Sequence, residues 1–131
     1  MSSYFKELIP YIDDAKKGLI TLEDPKVYII ERLFLLIVDA AIDINTHIIT
    51  RNKLESPDDY EGTFSILGSS KIIPGELAVK ISSSVGLKNR MVHEYEKINR
   101  KDMLGYIING IEDYSEYMKY INEYVDNSMS K

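Results

Sequence analysis

Apolar residues recur at intervals of three and four along most of the chain, which is the spacing of one face of an α-helix. The clearest case is a continuous seam near the C-terminus, formed by Leu104, Ile108, Ile111, Tyr114, Met118, Ile121 and Val125. No stretch shows the alternation of apolar and polar residues that indicates a β-strand. The pattern therefore predicts an all-α fold, an up-down helical bundle.

Helix-start and helix-stop signals divide this bundle into four principal helices and one short helix. Gly18 is expected to end the first helix, in which Pro10 introduces a kink or marks the true start. Asp24 and Pro25 supply a cap and a first-turn proline for the second. A capping box that begins at Ser56 opens the short third helix. The predicted helices cover about residues 3–17, 25–51, 57–70 and 74–95, and the last one follows a capping pattern at residues 99–102.

The second helix contains the most apolar segment of the chain, residues 27–49, whose apolar side chains point in almost every direction. Such a helix must be covered on more than one side, so either it is the central helix of the bundle or a second subunit covers it. Four ionisable residues argue against a membrane span, namely Glu31, Arg32, Asp39 and Asp43. We expect one domain over residues 1–131, and we expect it to dimerise.

The net charge of −5 makes the chain as a whole a poor electrostatic partner for nucleic acid, so any contact with a polyanion must be local. Cations are concentrated between residues 86 and 101. The absence of cysteine excludes disulfides, thiol catalysis and cysteine-based zinc sites. The N-terminus lacks the long apolar core of a signal peptide, and we expect a cytoplasmic protein with no membrane contact.

The cationic region contains the segment GLKNRMVHEY, residues 86–95, which combines groups suited to phosphodiester chemistry. A cation such as Lys88 can neutralise a phosphate, an amide such as Asn89 can orient it, and His93 can exchange a proton near neutral pH. On spacing alone, a histidine near a helix end is more often a capping or packing residue. Lys88 and His93 also diverge by about 140° on a regular helix. They could converge through the long lysine stem, a break near Gly86, or a site shared between two subunits.

The same helix has a predicted core-facing strip, made of Leu77, Ile81, Val85, Val92 and Tyr95. Lys88 falls on this strip, and an unpaired ammonium is costly to bury, so it needs a partner.

The segment and its context resemble the HEPN superfamily and, within it, the HepT-like toxins of prokaryotic toxin–antitoxin pairs. The resemblance extends to LIVDAAIDINTHII, residues 36–49, and to IIPGELAVKISSSVGLKNRMVHEY, residues 72–95. The family motif is an arginine, a polar residue, three further residues, a histidine, any residue and a tyrosine. Residue by residue, Asn89 matches the polar position, His93 the catalytic histidine and Tyr95 the tyrosine, while Lys88 occupies the arginine position.

The resemblance implies a HEPN-like homodimer that cleaves RNA without a metal or other cofactor, at composite sites in the cleft between two motif helices. It also implies a partner, a minimal nucleotidyltransferase antitoxin that neutralises the toxin by adding AMP to the motif tyrosine, here Tyr95. Lysine keeps the charge of arginine but lacks its planar two-pronged donor, so Arg90 is a candidate additional phosphate contact. The alternative function is a weakly active or inactive HEPN subunit that binds a nucleotidyltransferase.

Other polar and aromatic residues carry less specific signals. His47 is expected to be a core or interface histidine. One or both of Asp39 and Asp43 are expected to meet cations, which the motif helix could supply, and Asp43 is a candidate for orienting His93. The last helix carries a second aromatic stripe, expected at a solvent edge or a subunit contact, that consists of Tyr117, Tyr120 and Tyr124.

Overall fold

The computed structural model describes residues 1–94 and 97–129, with side chains through residue 127. Across these residues it has five helices and no strand, which confirms the all-α prediction of four longer helices and one short one. The helices are α1 Ser2–Lys16, α2 Lys26–Arg51, α3 Tyr60–Ser69, α4 Gly75–His93 and α5 Arg100–Met129.

Most of the predicted boundaries lie within two residues of the observed ones because the capping chemistry was visible in the sequence. The Asp24 carboxylate accepts a hydrogen bond from the Lys26 backbone N–H at 2.9 Å, at the start of α2. The α1 helix continues through Pro10, so the proline does not mark its start. After α1, Gly18 adopts φ 74°, a left-handed conformation that glycine reaches without steric cost.

The start of α3 differs from the prediction, because its cap is Asp59 rather than Ser56. Asp59 has extended backbone angles, and its carboxylate accepts a hydrogen bond from the Gly62 N–H at 2.7 Å. Both residues are good helix caps, and the sequence alone gave no means of choosing between them. Gly62 helps to decide the outcome, since a Cβ there would lie 3.3 Å from the Pro57 Cβ. The segment before α3 thus packs back onto its first turn.

The core lies around α2, which contacts each of the other four helices. Of the two explanations for its apolar surface, the central position in the bundle is confirmed. The largest fully buried side chains are Tyr114, Tyr117, Phe34, Phe64, Leu8, Ile12, Ile30, Ile37, Leu67, Ile73, Ile81 and Met103. Only near the start of α2 do large apolar residues, Tyr28 and Ile29, remain exposed on this helix. Within the described part of the chain, no helix is both long enough and apolar enough to cross a membrane.

The tyrosines of α5 take up different positions from those predicted. Tyr117 was expected at an edge but is fully buried, and its hydroxyl donates a hydrogen bond to the side-chain oxygen of Asn45 on α2. The Asn45 amide in turn donates to the Thr63 hydroxyl of α3 at 3.1 Å. Burial raises the pKa of the Tyr117 phenol well above its ordinary value. A polar chain therefore joins α5, α2 and α3 inside the core.

The outer part of α5 agrees better with the sequence pattern. Tyr120 and Tyr124 are half-buried, as expected for an edge. Val125, the last residue of the predicted seam, is 41% exposed, so the buried part of the seam ends before it.

Candidate functional site

The last turns of α4 present several polar side chains to solvent. The helix ends at His93, after which the Glu94 N–H donates a hydrogen bond to the Arg90 carbonyl at 2.7 Å. The side chains of Asn89, Arg90 and His93 are all exposed. A basic group, an amide and an imidazole therefore lie on the last one and a half turns of one helix, accessible to an anionic ligand.

Lys88 lies on the same turns of α4, but its side chain contacts neighbouring helices. Its side chain is 18% exposed, and its ammonium forms an ion pair with Asp39 of α2. The Tyr60 ring of α3 lies 5.9 Å from the same nitrogen. These contacts supply the partner that a half-buried ammonium needs, and they confirm the prediction that an aspartate of α2 meets a cation of the motif helix.

The buried face of α4 differs from the predicted strip beyond Val85. Val92, placed on the strip, is 56% exposed, whereas Leu87 and Met91 are buried. Ser84 explains the difference, because its buried hydroxyl shares a hydrogen bond with the Tyr114 hydroxyl of α5. Serine is not a hydrophobic residue, so the hydrophobic pattern did not predict that this side of α4 is buried against α5. Lys88 accordingly lies at the border of the buried face, next to α2 and α3.

The helix is continuous from Gly75 to His93. A break near Gly86, which could have let Lys88 and His93 converge, therefore does not occur. The angular divergence of about 140° between Lys88 and His93 therefore persists within one chain. The lysine stem does not close the gap, because its ammonium contacts Asp39 instead. One protomer thus brings together Asn89, Arg90 and His93 at an exposed helix end and holds Lys88 on another side of the helix.

The remaining candidates of α2 are placed as follows. Asp43 is exposed. Within residues 1–94 and 97–127, it forms no hydrogen bond or ion pair with His93. His47 is exposed, so the expectation of a core histidine is wrong, and its role at an interface stays a prediction.

Tyr95, the expected AMP acceptor, lies outside the described residues. No group of three or more His, Cys, Asp or Glu side chains that could hold a metal occurs in the described part of the chain.

A second polar cluster, which the hydrophobic pattern did not indicate, fixes the start of α5. The guanidinium of Arg100 lies 4.4 Å from the Tyr28 ring centroid and 3.6 Å from a carboxylate oxygen of the buried Glu31. The sequence did contain a signal for this cluster. Glu31 lies inside an apolar segment, and a buried carboxylate is rarely left without a cation. This cluster anchors the chain immediately after the connector that follows α4.

Comparison with known proteins shows the family to which this sequence and fold belong. A model of the HepT-like family, described as ribonuclease HepT-like, matches residues 1–121. The chain belongs to the HepT-like ribonuclease family. Its similarity to a tRNA nuclease HepT from Aphanizomenon flos-aquae is 40% identity over 123 residues, covering 88% of this chain and 82% of that protein. Similarity to an mRNA nuclease HepT from Shewanella oneidensis is 27% identity over 101 residues, covering 77% and 73%.

A solved structure shares the fold of this HepT-like chain. It is a crystal structure of a mutant toxin-antitoxin MntA-HpeT, which superposes with a TM-score of 0.79 at 22% sequence identity. The superposition covers 92% of this chain and 94% of the other. The family match and the shared bundle confirm the HepT-like resemblance seen in the motif, and family membership places the chain among ribonucleases.

Proposed function

We propose that this chain is the ribonuclease toxin of a toxin–antitoxin pair, and that it cleaves RNA without a metal at a composite site between two copies. The observation that carries the proposal is the exposed end of α4, where Asn89, Arg90 and His93 stand together in a HepT-like chain. Two similar proteins are named as nucleases of tRNA and of mRNA, which supports RNA as the substrate.

The chemistry of RNA itself supplies the nucleophile in such a site. The 2′-hydroxyl oxygen attacks the adjacent phosphorus, a proton leaves that hydroxyl, and the bond from phosphorus to the 5′-oxygen breaks as this oxygen takes up a proton. An imidazole such as that of His93 can accept the first proton or deliver the second. Cationic side chains stabilise the charge that builds on the phosphate oxygens. The expected products carry a 2′,3′-cyclic phosphate and a 5′-hydroxyl.

Two copies of the chain are proposed because one copy does not bring Lys88 and His93 to the same side of α4. If the motif helices of two protomers meet, the Lys88 side of one can face the His93 side of the other. The exposed Val92 lies between these two faces and would be covered by such a contact.

The expected state in solution is therefore a homodimer. At micromolar concentration, light scattering coupled to gel filtration should give about twice the chain mass of 15.1 kDa. Val92→Asp should shift the population toward monomer and lower RNA cleavage in parallel, because a buried unpaired carboxylate would weaken the contact. Val79→Asp is the matched control, since Val79 is 75% exposed near the other end of α4. A monomeric wild-type chain that still cleaves RNA contradicts the composite site.

Lys88 and Arg90 are proposed as phosphate contacts, and substitutions separate their contributions. Lys88→Arg should raise RNA cleavage because arginine offers a two-pronged donor at unchanged charge. Lys88→Ala should lower cleavage roughly tenfold or more, by loss of a charge-assisted contact. Lys6→Ala, on the exposed face of α1, is the control for removal of one charge. If only Arg90→Ala is damaging, Arg90 is the phosphate ligand and the assignment to Lys88 is wrong.

The proposed partner is a minimal nucleotidyltransferase antitoxin that neutralises the toxin by adding AMP to Tyr95. The similarity of fold to a toxin–antitoxin protein supports a partner of this kind, and the family motif supports the tyrosine. A direct test is growth arrest when this chain is expressed alone and rescue when the protein encoded in the adjacent reading frame is co-expressed.

One specific contact supports a second candidate function. The ammonium of Lys88 is already paired with Asp39, which favours a weakly active subunit that mainly binds a nucleotidyltransferase. The same expression test separates the two functions, since this subunit would not arrest growth. Purified protein that binds the partner but leaves RNA intact would establish the second function.

A further inference from the structure

A groove of about 410 Å³ lies between α4 and α5, next to the cluster of proposed catalytic groups. Phe34 and Tyr114 belong to its apolar lining, and the rest comes from one face of each helix. This volume is within the range of pockets that hold small organic ligands. The groove is therefore large enough for one flat heterocycle.

The groove runs up to the proposed site of cleavage. Arg90 lines it and lies three residues before His93, so the two side chains are neighbours on the surface of α4. Because α5 returns antiparallel to α4, Tyr106 lies toward the same end and Asp113 toward the other, near Lys80. A nucleotide next to the scissile phosphate can therefore extend from His93 into the groove.

Three side chains of α5 give the groove the chemistry of a base-binding pocket. Tyr106 is 54% exposed, and its ring can stack on a planar base. Asn109 and Asp113, both in the lining, are four residues apart and so are neighbours on the helix. Burial raises the pKa of the Asp113 carboxyl, while the charge of Lys80 opposes this effect. The Asp113 carboxyl is thus partly shielded from water. A hydrogen bond to a ligand is stronger in such an environment than in water.

We propose that this groove binds an unpaired guanine base of the RNA substrate, with its ring on Tyr106 and its edge on Asn109 and Asp113. The inference rests on the proposed ribonuclease function and names the base that this function would recognise. Single-stranded RNA is commonly read in this manner, by splayed bases that stack on aromatic side chains and form hydrogen bonds along their edges.

Guanine is the base whose edge complements these groups. Its N1–H and N2–H are adjacent donors and match the two oxygens of the Asp113 carboxylate, which only accepts when ionised. Its O6 is an acceptor that the Asn109 amide can meet as a donor. Adenine and cytosine each place a ring-nitrogen acceptor beside their amino group, where it would face the carboxylate. Uracil has a single N–H between two carbonyl oxygens.

Binding can be measured without catalysis, by titrating ¹⁵N-labelled full-length His93→Ala with mononucleotides and following amide shifts. We expect 5′-GMP to bind at least tenfold more tightly than 5′-AMP, 5′-CMP or 5′-UMP, with the largest shifts at residues 106–114. 5′-IMP, which lacks the N2 amino group, should bind more weakly than 5′-GMP. Equal binding of all four nucleotides, shifts confined to other regions, or no shifts at all would overturn the proposal.

Substitutions test the assigned contacts. Asp113→Asn should lower the affinity for 5′-GMP roughly tenfold or more and remove the preference over 5′-AMP. Glu112→Gln is the matched control, because it removes one negative charge at the adjacent residue, which pairs with Lys16 at 3.5 Å and does not line the groove. Equal losses in both variants would show a general effect of charge and overturn the contact. Thermal melting of each variant reports whether the fold is retained.

Cleavage of RNA separates this inference from the function on which it rests. Oligonucleotides with a single guanine should be cut next to it by the wild-type chain, and inosine in its place should raise KM more than it lowers kcat. Cleavage that ignores the base overturns the guanine site and leaves the ribonuclease function standing. Selective binding of 5′-GMP by a chain that never cleaves RNA overturns the ribonuclease function, and with it the claim that the base belongs to a substrate.

Discussion

His93→Ala should abolish RNA cleavage and growth arrest while leaving the fold intact. The imidazole is the group of the α4 cluster that can both accept and donate a proton near neutral pH. Its removal should cost roughly a hundredfold or more in rate, the usual contribution of general acid–base catalysis. The side chain is exposed, so no core packing is lost.

The other histidine of the chain provides the control for this experiment. His47 is also exposed, on α2, and is not among the proposed catalytic groups, so His47→Ala should keep the proton transfer that His93→Ala loses. Circular dichroism and melting temperature should be unchanged in both variants. Cleavage should also continue in EDTA, because the proposed mechanism uses no metal. Cleavage by His93→Ala at the rate of the wild type, or cleavage that EDTA abolishes, contradicts this mechanism.

Incubation with the cognate nucleotidyltransferase and ATP should add one or more AMP units to Tyr95 and inactivate the chain. Each unit adds about 329 Da, and its phosphate adds negative charge two residues after His93, where it would compete with RNA for Arg90 and Lys88. Tyr95→Phe lacks the acceptor oxygen. It should therefore cleave RNA and arrest growth even when the antitoxin is present.

Intact mass spectrometry with and without the partner measures the modification directly. Tyr28→Phe is the control, because Tyr28 is an exposed tyrosine of α2 whose phenyl ring can still contact Arg100 after the change. This variant should gain the same mass as the wild type. If the wild type gains no mass, or if Tyr95→Phe gains it equally, Tyr95 is not the acceptor.

Features encoded by local chemistry could be predicted from the sequence, as the helix ends show. Asp24 caps α2, and the Asn99 side chain accepts a hydrogen bond from the Asp102 N–H at 3.2 Å at the start of α5. Such caps depend on residues within one helical turn of each other. Where two caps compete, as Ser56 and Asp59 do before α3, the choice depends on how the preceding segment packs on the first turn of the helix, where Pro57 lies against Gly62.

Which side of a helix is buried was harder to predict wherever a polar residue lies in the core. Ser84 and Asn45 are buried because the hydroxyls of Tyr114 and Tyr117 satisfy them across the bundle. No hydrophobic pattern shows that the two polar residues belong inside, and of the two tyrosines only Tyr114 falls on the predicted apolar seam of α5. The sequence pattern accordingly placed Val92 in the core and Tyr117 at an edge.

The candidate site was found through its motif, since the motif residues are contiguous in sequence. The partner of Lys88 was anticipated only as an aspartate of α2, because contacts between helices depend on how the helices pack. The groove between α4 and α5 could not be anticipated, since its residues are spread over positions 34–114.

The ion pair between Lys88 and Asp39 has a consequence for how RNA binding responds to salt. Each RNA phosphate that a cationic side chain neutralises releases cations condensed on the RNA, which weakens binding as salt rises, by a slope of about 0.7 per contact on single strands. Lys88 is already paired with a carboxylate, so a phosphate that takes its place also frees Asp39. The freed Asp39 then attracts a cation of its own. This uptake offsets part of the cation release, so Lys88 should add less to the salt slope than the exposed Arg90 does.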